Sequence, residues 1–322
     1  MTPPDTAPAP RHGARLSDAA GSAPIPVRLW GPVLALGLVS QVAWTVENMY
    51  LPVFLYDRIT GSPTAIAVMV AASATVATAM TLLVGAASDS AGTRRRFLLV
   101  LYPLWGVSIC GFALLDVTAL GSVALAAAAV IALDCVMTAF GAGGNDAAFM
   151  AWVTDSTTPA NRGRIDALLA TLPLLAMLLV FGALDPLVQA GSWGAFFLIV
   201  GLATGVIGTF TAVVIRDAPR LEATGTGLRG ALQTLRPSVL RNLKPLLLAL
   251  SAWAIIGTAS QVFLPFLIIY VQRGLGLDTY PLILALVLTG AALLTVLGGR
   301  LIDRVGAERH CCRAPCFSLS AC

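Results

Sequence analysis

Apolar residues in this chain neither alternate nor fall on stripes; they come in long unbroken runs. Eight runs, at about 29–56, 64–87, 97–116, 120–144, 166–188, 193–215, 244–271 and 280–300, are each long enough to cross a bilayer as a helix at about 1.5 Å rise per residue. The pattern predicts an all-α polytopic membrane protein. Residues 1–27 hold six prolines among Ala, Ser and Gly and lack the apolar stretch of a signal peptide, so they read as a disordered leader.

The polar positions give this map a direction. Of the 20 Lys and Arg residues, all except Arg58 and Arg273 fall in alternate intervals: with Arg28 before the first run, at Arg94 to Arg96, at Arg162 and Arg164, from Arg216 to Lys244, and from Arg300 onward. Basic residues accumulate in cytoplasmic loops. The expectation is therefore a multi-pass protein of the cell inner membrane with its N-terminus inside and a basic cytoplasmic linker at 216–243. Composition agrees, with 57% hydrophobic and only 11% charged residues and a mean hydropathy of +0.86. Soluble domains carry about 25% charged residues. A net charge of +4 spread so thinly argues against a soluble enzyme, a disordered chain and a nucleic-acid binder.

The chain also repeats itself. Asn48-Met49-Tyr50-Leu51-Pro52 in the first run lines up with Gln261-Val262-Phe263-Leu264-Pro265 in the seventh, and the register persists beyond it. Gly85, Asp89, Gly92, Arg94 and Arg95 after the second run match Gly299, Asp303, Gly306 and Arg309 after the eighth, with Arg304 beside Asp303. The duplicated G-x-x-x-D-x-x-G-x-[RK]-[RK] loop resembles the signature of the major facilitator superfamily, over about residues 28 to 309. Within that family the first loop, followed by Arg96, is similar to sugar:cation symporters of the glycoside and sucrose type.

The resemblance implies a six-helix bundle at 28–215, the 216–243 linker, and the first two helices of a second bundle at 244–309. It also implies a gating role for Gly85, Asp89, Gly92, Arg94, Arg95, Asp303 and Arg304; in family members the first of the two motifs braces the cytoplasmic side of one conformation against helix 11. Sodium-coupled relatives use acids in helix 2, and the run from Thr64 to Gly85 has none, which leaves protons as the coupling ion. A complete second unit would extend to about residue 429 on the repeat register. The Cys-rich tail at 310–322 resembles neither half, so a truncated form with an out-of-frame end is expected. His310, Cys311, Cys312, Cys316 and Cys322 show no C-x-x-C pair, and no metal site is expected there. Cys110 and Cys135 read as packing residues.

Two charges stand deep in the apolar runs: Glu47 in the first and Asp134 in the fourth. An acid at bilayer depth costs about 2.5–3.5 kcal/mol on insertion scales and is a functional candidate by default. Neither has a basic partner inside a run, so each needs a proton or a cation, as a coupled carrier does. Gln41, Trp44, Glu47 and Asn48 fall within an arc of about 120° on a helical projection, a polar and aromatic stripe suited to a water-filled cavity. Gln261 is the repeat equivalent of Asn48, and Trp253 lies eight residues before it. For Asp134 a protonated carboxyl bonded to a neighbouring helix serves equally well. Trp30 and Trp193, near helix ends, suit helix packing or an interfacial belt.

Asp146, Asp155, Arg162 and Arg164 are expected to form ion pairs in the loop after the fourth run. Gly141 to Gly144 is expected to end or kink that helix, and Gly201 and Gly205 to allow close helix packing. The chain carries no HExxH, G-x-S-x-G or Walker motif, and its only histidines are His12 and His310. The expectation is thus not an enzyme and no cofactor, but a secondary transporter taking a small-molecule substrate, such as a sugar or glycoside, with a proton, in a lipid bilayer. A transporter-derived sensor that binds without cycling is the alternative.

Overall fold

The computed structural model describes residues 27–115, 121–217, 244–277 and 279–305. The described residues are helical throughout, without strands. Among the described residues, seven helices are long and apolar enough to cross a membrane: α1 (Arg28–Thr60), α2 (Pro63–Ala91), α3 (Arg95–Leu114), α4 (Val123–Ser156), α5 (Asn161–Gln189), α6 (Trp193–Val214) and α7 (Leu247–Gly274). An eighth, α8 (Tyr280–Val305), follows. The protein is a polytopic all-α membrane protein, and each of the eight apolar runs corresponds to one helix. The leader, most of the 216–243 linker, Gly306, Arg309 and the Cys-rich tail lie outside the described residues.

Local chemistry sets the helix ends. Gly61 and Gly92 adopt φ of 63° and 60°, the left-handed conformation that closes α1 and α2. Ser122 caps α4 by accepting the Leu125 N–H at 3.2 Å. At the start of α5, Asn161 Oδ1 accepts the Thr158 N–H at 2.8 Å, ahead of Pro159 in the first turn.

α3 and α6 pack backbone to backbone. A Cβ on Gly106 would stand 2.5 Å from Gly201 O and 2.6 Å from Gly205 Cα, so the small residues of both helices are what permits the contact. Val107, Val206 and Phe210 are exposed on the outer surface, as expected where lipid is the solvent.

One element differs from the sequence-based expectation. α4 does not end at Gly141 to Gly144 but continues to Ser156 through a wide, π-helical stretch, Ala142–Phe149. The glycines serve close packing instead: a Cβ would meet Trp105 at Gly141, Val84 at Gly143 and Leu101 at Gly144. Asp146 is consequently part of a helix and not of a loop. Of the two roles expected for Trp193, helix packing holds: it is buried, with its ring 5.3 Å from Phe54 and 5.9 Å from Phe196, because the start of α6 packs on the end of α1.

α7 and α8 meet the first six helices unevenly. Every residue of α7 from Leu247 to Phe263 is exposed among the described residues, while Pro265 and Ile268 are buried. At the end of the molecule opposite Arg94 to Arg96, Arg273 pairs with Asp57 at 2.7 Å. There the fully buried Asp185 accepts hydrogen bonds from Tyr50 at 2.8 Å, Tyr280 at 2.6 Å and Gln189 at 2.5 Å.

Candidate functional site

A cavity of about 310 Å³ lies between α1, α2, α4 and α7. Gln41, Trp44, Glu47 and Asn48 form its α1 wall, Asp134, Thr138 and Asp146 its α4 wall, Met69, Ser73 and Ala77 its α2 wall, and Gln261 closes it from α7. Of the residues singled out for binding, all but Trp253 meet here. Trp253 is 77% exposed on the part of α7 that packs on nothing described, and it takes no part in the cavity.

The stripe on α1 reaches the cavity through a local widening. Val46–Tyr50 is a π-helical turn, the kind of irregularity that concentrates at functional positions. It carries Glu47 and Asn48 towards the cavity and Tyr50 towards Asp185. On α4 the longer π-helical stretch carries Asp146 in the same way.

The carboxylates sit in different surroundings. Glu47 is 8% exposed; its Oε1 accepts the Thr138 hydroxyl at 2.8 Å, while its Oε2 is buried with no hydrogen-bond partner among the described residues. Asp134 is 1% exposed and its Oδ1 is likewise without a partner. Asp146 is exposed into the cavity, and its Oδ1 accepts the Asn145 amide at 2.7 Å. No described Lys, Arg or His lines the cavity. Two buried carboxyl oxygens left open are a demand for a proton or another donor, since an unsatisfied buried acceptor costs about 1–3 kcal/mol and more when charged.

Trp44 is held in place by Trp105, ring centroids 5.5 Å apart, and Trp105 by Tyr102 at 5.7 Å. Across the cavity Gln261 Nε2 donates to Asn48 Oδ1 at 3.3 Å. The two positions that the repeat makes equivalent thus touch each other.

The first loop motif organises the basic end. Arg94, 7% exposed, pairs with Asp89, donates to Asp155 at 3.1 Å and to Ser88 at 2.5 Å. Asp217 accepts the Arg94 and Arg95 N–H groups at 2.8 and 3.0 Å and the Thr93 hydroxyl at 2.7 Å, so it caps α3. Arg95 donates to the carbonyls of Ala212 and Val213 at the end of α6. Gly85 has open space where a Cβ would stand, and Gly92 supplies the left-handed turn. Asp303 and Arg304 lie in the last turns of α8, and their side chains are outside what the structure describes.

Sequence reasoning missed Ser73, Thr138, Asp185 and Asp217. Thr138 was within reach, since it lies one helical turn from Asp134 on the same face. Asp217 and Asp185 have no local signal; their partners come from distant helices.

Comparison with known proteins gives one match. The model of the Major Facilitator Superfamily matches residues 33–315. No curated protein and no solved structure matches the chain.

Proposed function

The chain belongs to the Major Facilitator Superfamily, and we propose that it is a secondary active transporter in which the cavity binds a small solute and Glu47 couples its movement to protons. The observation that carries this is the buried, half-unsatisfied Glu47 carboxyl facing a solvent-sized cavity with no described basic residue. The titratable groups around it are Asp134, Cys135 and Asp146 of α4, with Tyr102 of α3 near Asp146. All are acids or weak acids, so among the described residues nothing neutralises Glu47, and a proton or an incoming cation would.

In this reading the first six helices form one unit, 216–243 a cytoplasmic linker, and the helices from 244 the start of a second unit, in the cell inner membrane. The end bearing Arg94 to Arg96 is cytoplasmic on the charge asymmetry. The described contacts of α7 with the first six helices lie towards the opposite end, which supports a state open to the inside. Asp89, Arg94 and Arg95 gate that side by fixing α2 and α3 to α4 and α6, with Gly85, Gly92, Asp303 and Arg304 completing the two motif copies.

The test is proton flux in dye-loaded proteoliposomes upon addition of candidate solutes, beside counterflow of the labelled solute. Glu47→Gln keeps the shape and removes the titratable proton; gradient-driven accumulation should be lost while energy-independent exchange survives. Unchanged accumulation in that variant would remove Glu47 from the coupling step. A sensor would bind solute without counterflow.

A second reading concerns the cargo. The amides of Gln41, Asn48 and Gln261 and the Trp44 indole suit the hydroxyls and apolar face of a sugar or glycoside, in keeping with the loop motif of the sugar:cation branch. Such a cargo leaves the third acid, Asp146, without a counterpart.

A further inference from the structure

Building on the transporter reading, which makes this cavity the cargo site, we infer that the cargo is a small organic cation whose ammonium group is met by Asp146. Among the described residues, three ionisable side chains line the cavity, and all are acidic: Glu47, Asp134 and Asp146. Glu47 and Asp134 are enclosed, 8% and 1% exposed, with Glu47 Oε2 and Asp134 Oδ1 unpartnered among the described residues. Enclosure of that degree does not sustain a free charge, because the desolvation of an unpaired ion amounts to several kcal/mol. These two acids therefore serve the proton.

Asp146 is different. It is exposed into the cavity, one oxygen is oriented by the Asn145 amide, and it takes part in none of the ion pairs among the described residues. A solvent-accessible carboxylate in a cavity wall, with no described cation opposite it, is a recognition group for a positive charge. A second group in the same wall fits that charge: Trp44 presents an indole, fixed by Trp105, and indoles attract cations by about 0.5–2 kcal/mol. The carbonyl oxygens of Gln41 and Gln261 add acceptors for N–H donors.

Charge and size narrow the cargo further. An anion would be repelled by the Asp146 carboxylate, and a neutral polyol would leave it unmatched. Among the described residues no three ionisable ligands are grouped to hold a metal ion, whereas an ammonium needs one or two acceptors. A volume of about 310 Å³ is at the small end of ligand pockets, which run roughly 300–1,000 Å³, so the cation is compact.

The test is calorimetric binding to the whole 322-residue chain in detergent, with charged and uncharged probes of matched shape. Choline is compared with dimethylbutanol, its carbon analogue, and butylammonium with pentanol; sucrose represents the neutral polyol. At least one ammonium should bind about tenfold or more tighter than its neutral partner. Asp146→Asn should abolish that preference and Asp146→Glu should retain part of it, with melting curves confirming that both variants fold. Equal binding within both pairs, no binding of either ammonium, preference for sucrose, or a charge preference that survives Asp146→Asn would each overturn the inference. Failure of the transport reading looks different: charge-selective binding dependent on Asp146 with no counterflow of the bound ammonium leaves the site intact and removes the carrier.

Discussion

Arg94 shows how much one side chain can organise. It is almost fully buried at the basic end, and its guanidinium reaches Asp89, Asp155 and the Ser88 hydroxyl at once, tying α2 and α4 to the start of α3. That geometry needs the planar fork of arginine. Lysine keeps the charge but offers a single point of contact, so it can satisfy one acceptor well and not three. Asp89 is half exposed and can fall back on water, whereas Asp155 and Ser88 are more enclosed. Hydrogen bonds to charged groups contribute about 1.5–3 kcal/mol each, and partial replacement by water softens the loss, so Arg94→Lys should destabilise by roughly 1–3 kcal/mol. The measurement is a thermal melt in detergent. An unchanged melting temperature would mean that the cluster is a bystander to folding.

At the scale of elements, helix contacts follow the small residues. Gly106 of α3 faces Gly201 and Gly205 of α6 so closely that any added methyl meets backbone, which cannot swing aside. Gly106→Ala should therefore lower stability by about 1–3 kcal/mol, the usual range for overpacking. Gly163, near the start of α5, has open space around it, and the same substitution there should raise stability by up to about 1 kcal/mol through helix propensity. Opposite signs in two melts, from one chemical change, separate packing from propensity; equal signs would refute the packing account.

The same elements mark what the sequence could show. Eight helices were legible because apolar runs and charge asymmetry are local signals, and the α1 stripe was legible because 3.6-residue periodicity put Gln41, Trp44, Glu47 and Asn48 on one face. Asp146 was not: twelve residues beyond Asp134, it falls about 120° away on a regular helix. The wide turns of Ala142–Phe149 change that register and bring it into the cavity wall. Trp253 failed for a complementary reason, since a helical projection fixes which residues share a face but not how much of α7 reaches the other helices.

Among the described residues, α7 and α8 are fastened to the first six helices at the end opposite Arg94 to Arg96. Asp57 and Arg273 are 22% and 61% exposed, and a pair so placed contributes only about 0–1 kcal/mol. The stronger fastening is Asp185, fully buried, whose Oδ1 joins Tyr50 of α1 to Tyr280 of α8. A carrier that alternates must release both contacts in each cycle, so their strength sets the balance between the two states. Asp185→Asn removes the negative acceptor while preserving size, and it should shift that balance towards opening by about 1.4 kcal/mol or more, a tenfold change in population. The shift can be read with a cysteine at Ala77, a small cavity-lining residue, in a background from which the six native cysteines have been removed. In oriented proteoliposomes, a membrane-impermeant thiol reagent should label this cysteine from the basic side in the parent protein and hardly at all from the opposite side. With Asp185→Asn added, labelling from the opposite side should rise about tenfold, because the site is visited from there in proportion to the opened population. Equal access from both sides in the parent would contradict a closed end at Asp185. Access that stays one-sided after Asp185→Asn would show that Tyr50 and Tyr280 pack there without holding the two groups of helices together.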